Sequence, residues 1–158
     1  MNWNFLIIFL AEYLIFIMMA VAGVFFLLQP MKVKKKMLVT AVAIGLVAYV
    51  LEQLVSSLYY NPRPFVIDHI KPLFNYVADN GFPSDHTALA GVIATIVWFY
   101  NRKLGLILGI CTILIGVARV LAGVHHVIDI IASVSIVLIT AAAYIVIAKR
   151  IKFLTPNQ

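Results

Sequence analysis

Charge is scarce in this chain. Asp, Glu, Lys and Arg together supply 11% of its 158 residues, against about a quarter in a water-soluble domain. With 64% hydrophobic residues and a mean hydropathy of +1.06, that scarcity excludes an ordinary globular enzyme, a disordered protein and a nucleic-acid binder. Cysteine occurs once, as Cys111 inside an apolar stretch, so no intrachain disulfide can form and the thiol reads as a small buried hydrophobe. There is no internal repeat and no low-complexity linker. The composition is that of a membrane protein.

Five apolar runs remain once the sparse charges are set aside: Phe5 to Leu28, Leu38 to Leu58, Pro83 to Tyr100, Leu104 to Leu121 and Val127 to Ala148. Each is near the roughly 20 residues that cross a bilayer as a helix. The expected fold is therefore an all-α, polytopic helical bundle with about five transmembrane helices. Ala20-Val21-Ala22 resembles a signal-peptide cleavage site. No basic residue precedes the first run, however, and its apolar character continues past that site, so it is read as a retained helix.

The net charge of +6 would suggest an anionic partner if the basic residues formed one face. Instead Lys32, Lys34, Lys35, Lys36, Arg102, Lys103, Lys149, Arg150 and Lys152 lie between apolar runs or after the last one, as in cytoplasmic loops. This predicts an external N-terminus, an inner loop from Gln29 to Met37, an external segment from Tyr59 to Phe82, an inner loop from Asn101 to Lys103, and a cytoplasmic C-terminus. Arg63, Lys71, Arg119, all four histidines and Asp68, Asp79, Asp85 and Asp129 then collect at the external face. The tyrosines and tryptophans fit interfacial belts.

Three stretches supply the chemistry at that face: Asn61-Pro62-Arg63-Pro64-Phe65, Phe82-Pro83-Ser84-Asp85-His86-Thr87, and the run from Ala118 to Asp129 that holds Arg119, His125 and Asp129. Two guanidinium groups suit bidentate phosphate binding. Two imidazoles can divide the roles of nucleophile and proton donor. Pro83 fits the first turn of a helix, which would leave the amides of Ser84, Asp85 and His86 as an anion site. Asp129, four residues after His125, would share its helix face and hold its imidazole in one tautomer. Taken singly, Arg63 could be a snorkelling interface residue, Ser84 and Asp85 a helix cap, and Arg119 a charge at a helix C-terminus. Their convergence on one face favours a catalytic site.

The order and spacing of Arg63-Pro64, Pro83-Ser84-Asp85-His86, Arg119, His125 and Asp129 resemble the three-part signature of the type 2 phosphatidic acid phosphatase superfamily. The similarity is closest to its bacterial undecaprenyl-diphosphatase branch, and Glu12-Tyr13 also looks like that branch. The resemblance implies that residues 1–158 form a single membrane-embedded phosphatase domain in the plasma membrane, with its active site external. It would convert a polyprenyl diphosphate to the monophosphate, with no cofactor, no metal and no nucleic-acid partner. Arg63, Ser84 and Arg119 would bind phosphate, His125 would form a phosphohistidine, Asp129 would orient it, and His86 would protonate the leaving group. The alternative is a phosphatidate- or phosphatidylglycerophosphate-type phosphomonoesterase. A noncatalytic lipid- or protein-binding bundle is disfavoured, since an anion binder needs only the arginines.

The chain departs from the broad family pattern at Ser56, where a lysine is usual, at Asp85, where a glycine is usual, and at Ala118, where a serine is usual. The family tends to have six helices, so one on the N-terminal side is expected to be missing. Glu12 and Glu52 are ionisable groups within spans, roughly 10 Å and 9 Å below the outer ends of their helices at about 1.5 Å per residue. Each is either a protonated, hydrogen-bonded bundle residue or a support for Arg63, Arg119 or substrate; with Asp85 they complete the candidate site. His69 reads as part of a solvated loop. His126 would face about 100° away from His125 on a helix and reads as structural.

Overall fold

The computed structural model describes residues 3–68 and 70–150; His69 and Lys152 lie outside them. The described chain is helical and contains no strand. α1 (Trp3–Ile8) passes through a π-helical stretch (Phe9–Tyr13) into α2 (Leu14–Leu27), and α3 (Met31–Leu58) and the short α4 (Pro64–Ile67) follow. α5 (Asp85–Tyr100), α6 (Arg102–Leu121) and α7 (Val127–Ala148) complete the order.

Among the described residues, four helices are long and apolar enough to cross a membrane: Trp3–Leu27, Met31–Leu58, Arg102–Leu121 and Val127–Ala148. The fifth apolar run forms α5, whose 16 residues reach only about 24 Å at 1.5 Å per residue. α5 is the helix around which the others gather, packing against α2, α3, α6 and α7. Its two sides serve two cores. Ala88 and Val92 pack with Ile44 and Ala48 of α3 and with Ile136 and Val137 of α7, while Ala90, Ala94 and Val97 pack with Ile15, Met18, Leu108 and Ile115. Alanines on both sides let the neighbouring backbones close in, which drives helix association where lipid offers no hydrophobic gradient.

Two inner loops expected from the sequence are mostly helix. Pro30 caps α3 with φ −58°, so the chain turns helical at Met31 and places Lys32, Lys34, Lys35 and Lys36 on its first two turns. Proline is pre-set for a helix start and lysine is a good helix former. Likewise Asn101 alone joins α5 to α6; its side chain accepts from the Leu104 amide at 3.0 Å, and Arg102 and Lys103 open α6. These basic residues still share one end of the bundle with Lys149 and Arg150. Near that end, Thr40 meets the Tyr100 and Tyr144 hydroxyls at 2.9 and 2.8 Å. Tyr144 is buried, so it ties α3 to α7 instead of joining an interfacial belt.

Candidate active site

The opposite end of the bundle holds the candidate residues. α6 ends in a Schellman motif: the Val124 amide donates to the Arg119 carbonyl at 3.2 Å and the Gly123 amide to the Val120 carbonyl at 3.0 Å. Gly123 has φ +75°, a left-handed conformation that glycine adopts without steric cost. The reversal presents Arg119, on the last turn of α6, and His125, just beyond it, to the same pocket. Arg63, Ser84, Arg119, His125 and Asp129 are 4%, 0%, 0%, 2% and 0% exposed, so these five are interior, whereas Asp85 is exposed.

Two expected details differ. Pro83 precedes the helix: Ser84 is the N-cap of α5 and the Phe82–Pro83 bond is cis. The Ser84 amide is occupied, donating to the Ser133 hydroxyl at 2.8 Å, which leaves the first-turn amides from Asp85 onward as the helix-end donors. His125 and Asp129 are not one turn apart on a helix either, because α7 starts at Val127 with His126 as its N-cap. Asp129, at the third helical position, folds back to accept the His126 amide at 2.8 Å, a box that stabilises the helix start. It still reaches His125, with 3.3 Å between Oδ2 and Nδ1.

The tautomer of His125 follows from its partners. Nδ1 faces the Gly81 carbonyl at 2.9 Å as well as Asp129; both are acceptors, so Nδ1 carries the proton. Nε2 then holds a lone pair and accepts from Arg63 Nη1 at 3.1 Å. Burial lowers the basicity of this imidazole and the Asp129 hydrogen bond opposes that, while Arg119 and Arg63 reinforce it, leaving His125 below the ordinary 6.5.

Arg63 is anchored by Asp79, from Nε at 2.7 Å, and by the Val124 carbonyl, from Nη1 at 2.9 Å. Arg119 donates from Nη1 to the Ala11 carbonyl at 3.1 Å. Ala11 belongs to the π-helical stretch, a departure from the α-helix common at functional sites. Nε and Nη2 of Arg119 are buried without a protein partner. Orphan guanidinium donors are costly unless an anion completes them. His86 is half-buried and lies in the electrostatic field of Arg119, His125 and Arg63.

Support for the arginines does not come from the intramembrane glutamates as direct ion pairs. Glu12 lies within electrostatic reach of Arg119, but Arg119 donates its hydrogen bond to the neighbouring Ala11 carbonyl. Glu52 is buried with Oε1 unpartnered and lines a groove of about 360 Å³ with Asp85, Leu89 and Tyr49. Sequence reasoning missed several supporting residues. Asn61 donates to Asp129 Oδ1 at 2.7 Å and meets His126 Nδ1 at 3.1 Å, so His126 belongs to the rim of the site. Asn80 accepts from the Asn61 and Phe82 amides and donates to Ser56 and Tyr59; Ser56, where the family has a lysine, thus anchors the loop to α3. The Tyr76 ring lies 4.4 Å from the Arg63 guanidinium carbon and 4.9 Å from that of Arg119. Asn61 adjoins the first motif, a usable signal, whereas Asn80 and Tyr76 sit in a loop with no periodicity to read.

Residues 36–152 match the PAP2 superfamily. The chain belongs to that superfamily. Within it, the chain is 34% identical over 95 residues to the undecaprenyl-diphosphatase BcrC of Bacillus subtilis (strain 168), covering 60% of this chain and 49% of that protein. The matched part thus spans about half the length of that relative. It is 28% identical over 152 residues to the bacitracin transport permease protein BcrC of Bacillus licheniformis, covering 96% of this chain and 74% of that one. This PAP2 bundle shares its fold with the crystal structure of Aquifex aeolicus LpxE, at a TM-score of 0.67 and 24% identity over 89% of this chain and 82% of that chain.

Proposed function

We propose that this PAP2 protein is an integral-membrane lipid phosphatase that hydrolyses a polyprenyl diphosphate to the monophosphate at the outer membrane face. The observation that carries the reading is the His125 tautomer: an Nε2 lone pair beside Arg63, in a pocket where two Arg119 donors lack partners. The name of the Bacillus subtilis relative supports the diphosphate substrate.

The terminal phosphoryl group sits between Arg63, Arg119 and Ser84. As a phosphate oxygen takes over the hydrogen bond from Arg63 Nη1, the freed Nε2 lone pair of His125 attacks phosphorus, the bond to the bridging oxygen breaks, and the prenyl monophosphate leaves, with His86 supplying a proton. Asp129 and the Gly81 carbonyl stabilise the cationic phosphoimidazole through Nδ1–H. Water then attacks phosphorus, His86 takes its proton, and inorganic phosphate and neutral His125 are released. The guanidiniums neutralise charge that spreads over the equatorial oxygens.

A diphosphate suits the site because its leaving group, with a second pKa of about 6, demands little of the acid His86. Ser56 and Asp85 also leave the site less positive than the broad family pattern. In one detergent, kcat/KM for a long-chain polyprenyl diphosphate should exceed that for phosphatidate by at least about tenfold. Acid-labile phosphate should be trapped on the wild-type protein but not on His125→Ala, and a chelator should leave the rate unchanged. Equal or reversed efficiencies would favour the phosphomonoesterase reading.

A further inference from the structure

Arg63 and Arg119 are unequally held. Arg63 is fixed by Asp79, the Val124 carbonyl and His125 Nε2, whereas Arg119 has one hydrogen bond, to the Ala11 carbonyl, and two further nitrogens without a protein partner. One hydrogen bond does not by itself fix the guanidinium plane, and the neighbouring like charge of Arg63 opposes it. Tyr76 also meets Arg119: its ring lies 4.9 Å from the guanidinium carbon, and its hydroxyl is within hydrogen-bonding reach of the guanidinium. The same ring lies 4.4 Å from the Arg63 carbon and 6.4 Å from the His125 ring, edge-on.

Tyr76 is itself well located. The Leu73 amide donates to the Ala122 carbonyl at 3.0 Å, Phe74 meets Tyr76 edge-on at 6.0 Å, and both rings pack on Ala11, Ala118, Ala122 and Val124. These residues surround both the anchor of Arg119 and the turn that delivers His125. An aromatic face attracts a cation and is indifferent to which cation it receives, so one ring can hold two guanidiniums that repel each other.

We propose that Tyr76 is a positioning residue for phosphate recognition: its ring sets the separation and orientation of the Arg63 and Arg119 guanidiniums, so that both face one phosphoryl group. The proposal rests on the reading of those arginines as phosphate ligands. The ring face spans both arginines, whereas the hydroxyl reaches only Arg119, so phenylalanine keeps most of the positioning and an aliphatic residue does not.

The test is competitive inhibition by orthovanadate together with kcat and KM, on purified full-length Tyr76→Phe and Tyr76→Leu. Tyr76→Phe should keep the vanadate inhibition constant within about twofold, and Tyr76→Leu should raise it at least about tenfold, with a matching fall in kcat/KM, the scale of a lost buried cation–π pair. A looser loop alone would lower the unfolding midpoint and spare the inhibition constant. An unchanged constant in Tyr76→Leu, or equal losses in both variants, overturns the proposal. Should Tyr76→Leu fail to fold, Tyr76→Trp must keep the inhibition constant within about threefold, and its emission must change on inorganic phosphate with the midpoint of phosphate inhibition; a silent or strongly weakened variant overturns the proposal. Wild-type protein without turnover on any lipid phosphate, or insensitive to vanadate, would instead remove the underlying phosphatase reading.

Discussion

The Nδ1 atom of His125 lies closer to the Gly81 carbonyl oxygen, at 2.9 Å, than to the Asp129 carboxylate, at 3.3 Å. In the proposed mechanism a main-chain acceptor then shares the orienting task that the sequence reading gives to the aspartate alone. Gly81 can approach because it lacks a Cβ: an added one would meet the Asn61 carbonyl oxygen at 3.2 Å, and Arg63 Cγ and Asp129 Oδ2 at 3.3 Å each. Gly81→Ala should displace these groups by a few tenths of an ångström and lower kcat by about tenfold to a hundredfold, with the protein still folded. A wild-type kcat would mean the carbonyl is not needed at 2.9 Å.

Removing the charge of Asp129 tests the other acceptor. In a triad where the aspartate alone sets the tautomer, conversion to asparagine costs about 10⁴ in kcat. Here Gly81 retains the Nδ1–H, so Asp129→Asn should cost less, about 10² to 10³. Single-turnover measurements should put the loss in phosphohistidine formation. A loss confined to phosphate release would contradict this assignment.

The pH dependence follows from the burial of His125. Its folded-state value is lowered, so the neutral imidazole persists to more acid pH than the ordinary 6.5 and protonation comes only below it. Nucleophilic competence should therefore be retained through pH 6.5 and lost at lower pH. The substrate phosphate titrates at about 6, so the imidazole should be followed directly by NMR of histidine-labelled protein, with His125→Ala identifying its signal. A midpoint above 6.5 would show that Asp129 outweighs burial.

Asn80 is the structural counterpart. It accepts from two loop amides and donates to the C-terminal end of α3. Asn80→Ala should leave those amides unpaired and destabilise the protein by about 1–3 kcal/mol, read as a lower unfolding midpoint in detergent. An unchanged midpoint would mean water replaces the side chain without cost.

The proposed orientation is checked in intact cells. In a Cys111→Ser background, Lys71→Cys should react with an impermeant thiol reagent and Lys35→Cys should not. The reverse pattern would put the active site on the cytoplasmic side.

The apolar runs, the scarcity of charge and the position of the basic residues are enough to specify a helical membrane bundle with its chemistry at one end, because bilayer thickness and desolvation act on every span alike. The three motifs named Arg63, Ser84, Arg119, His125 and Asp129, and folding brings these together. Element boundaries were less legible: Pro30 and Asn101 start helices inside stretches that charge alone marks as loops. Only the tertiary structure decided which atoms meet. The Gly81 carbonyl on His125, the Ala11 carbonyl on Arg119, Asn61 on Asp129 and the Tyr76 ring on both arginines join segments far apart in the chain. Carbonyl contacts leave no side-chain signature, and a loop without periodicity gives no hint of where its residues point. Periodic burial is written in the sequence; the pairing of one donor with one distant acceptor is fixed only when the helices pack.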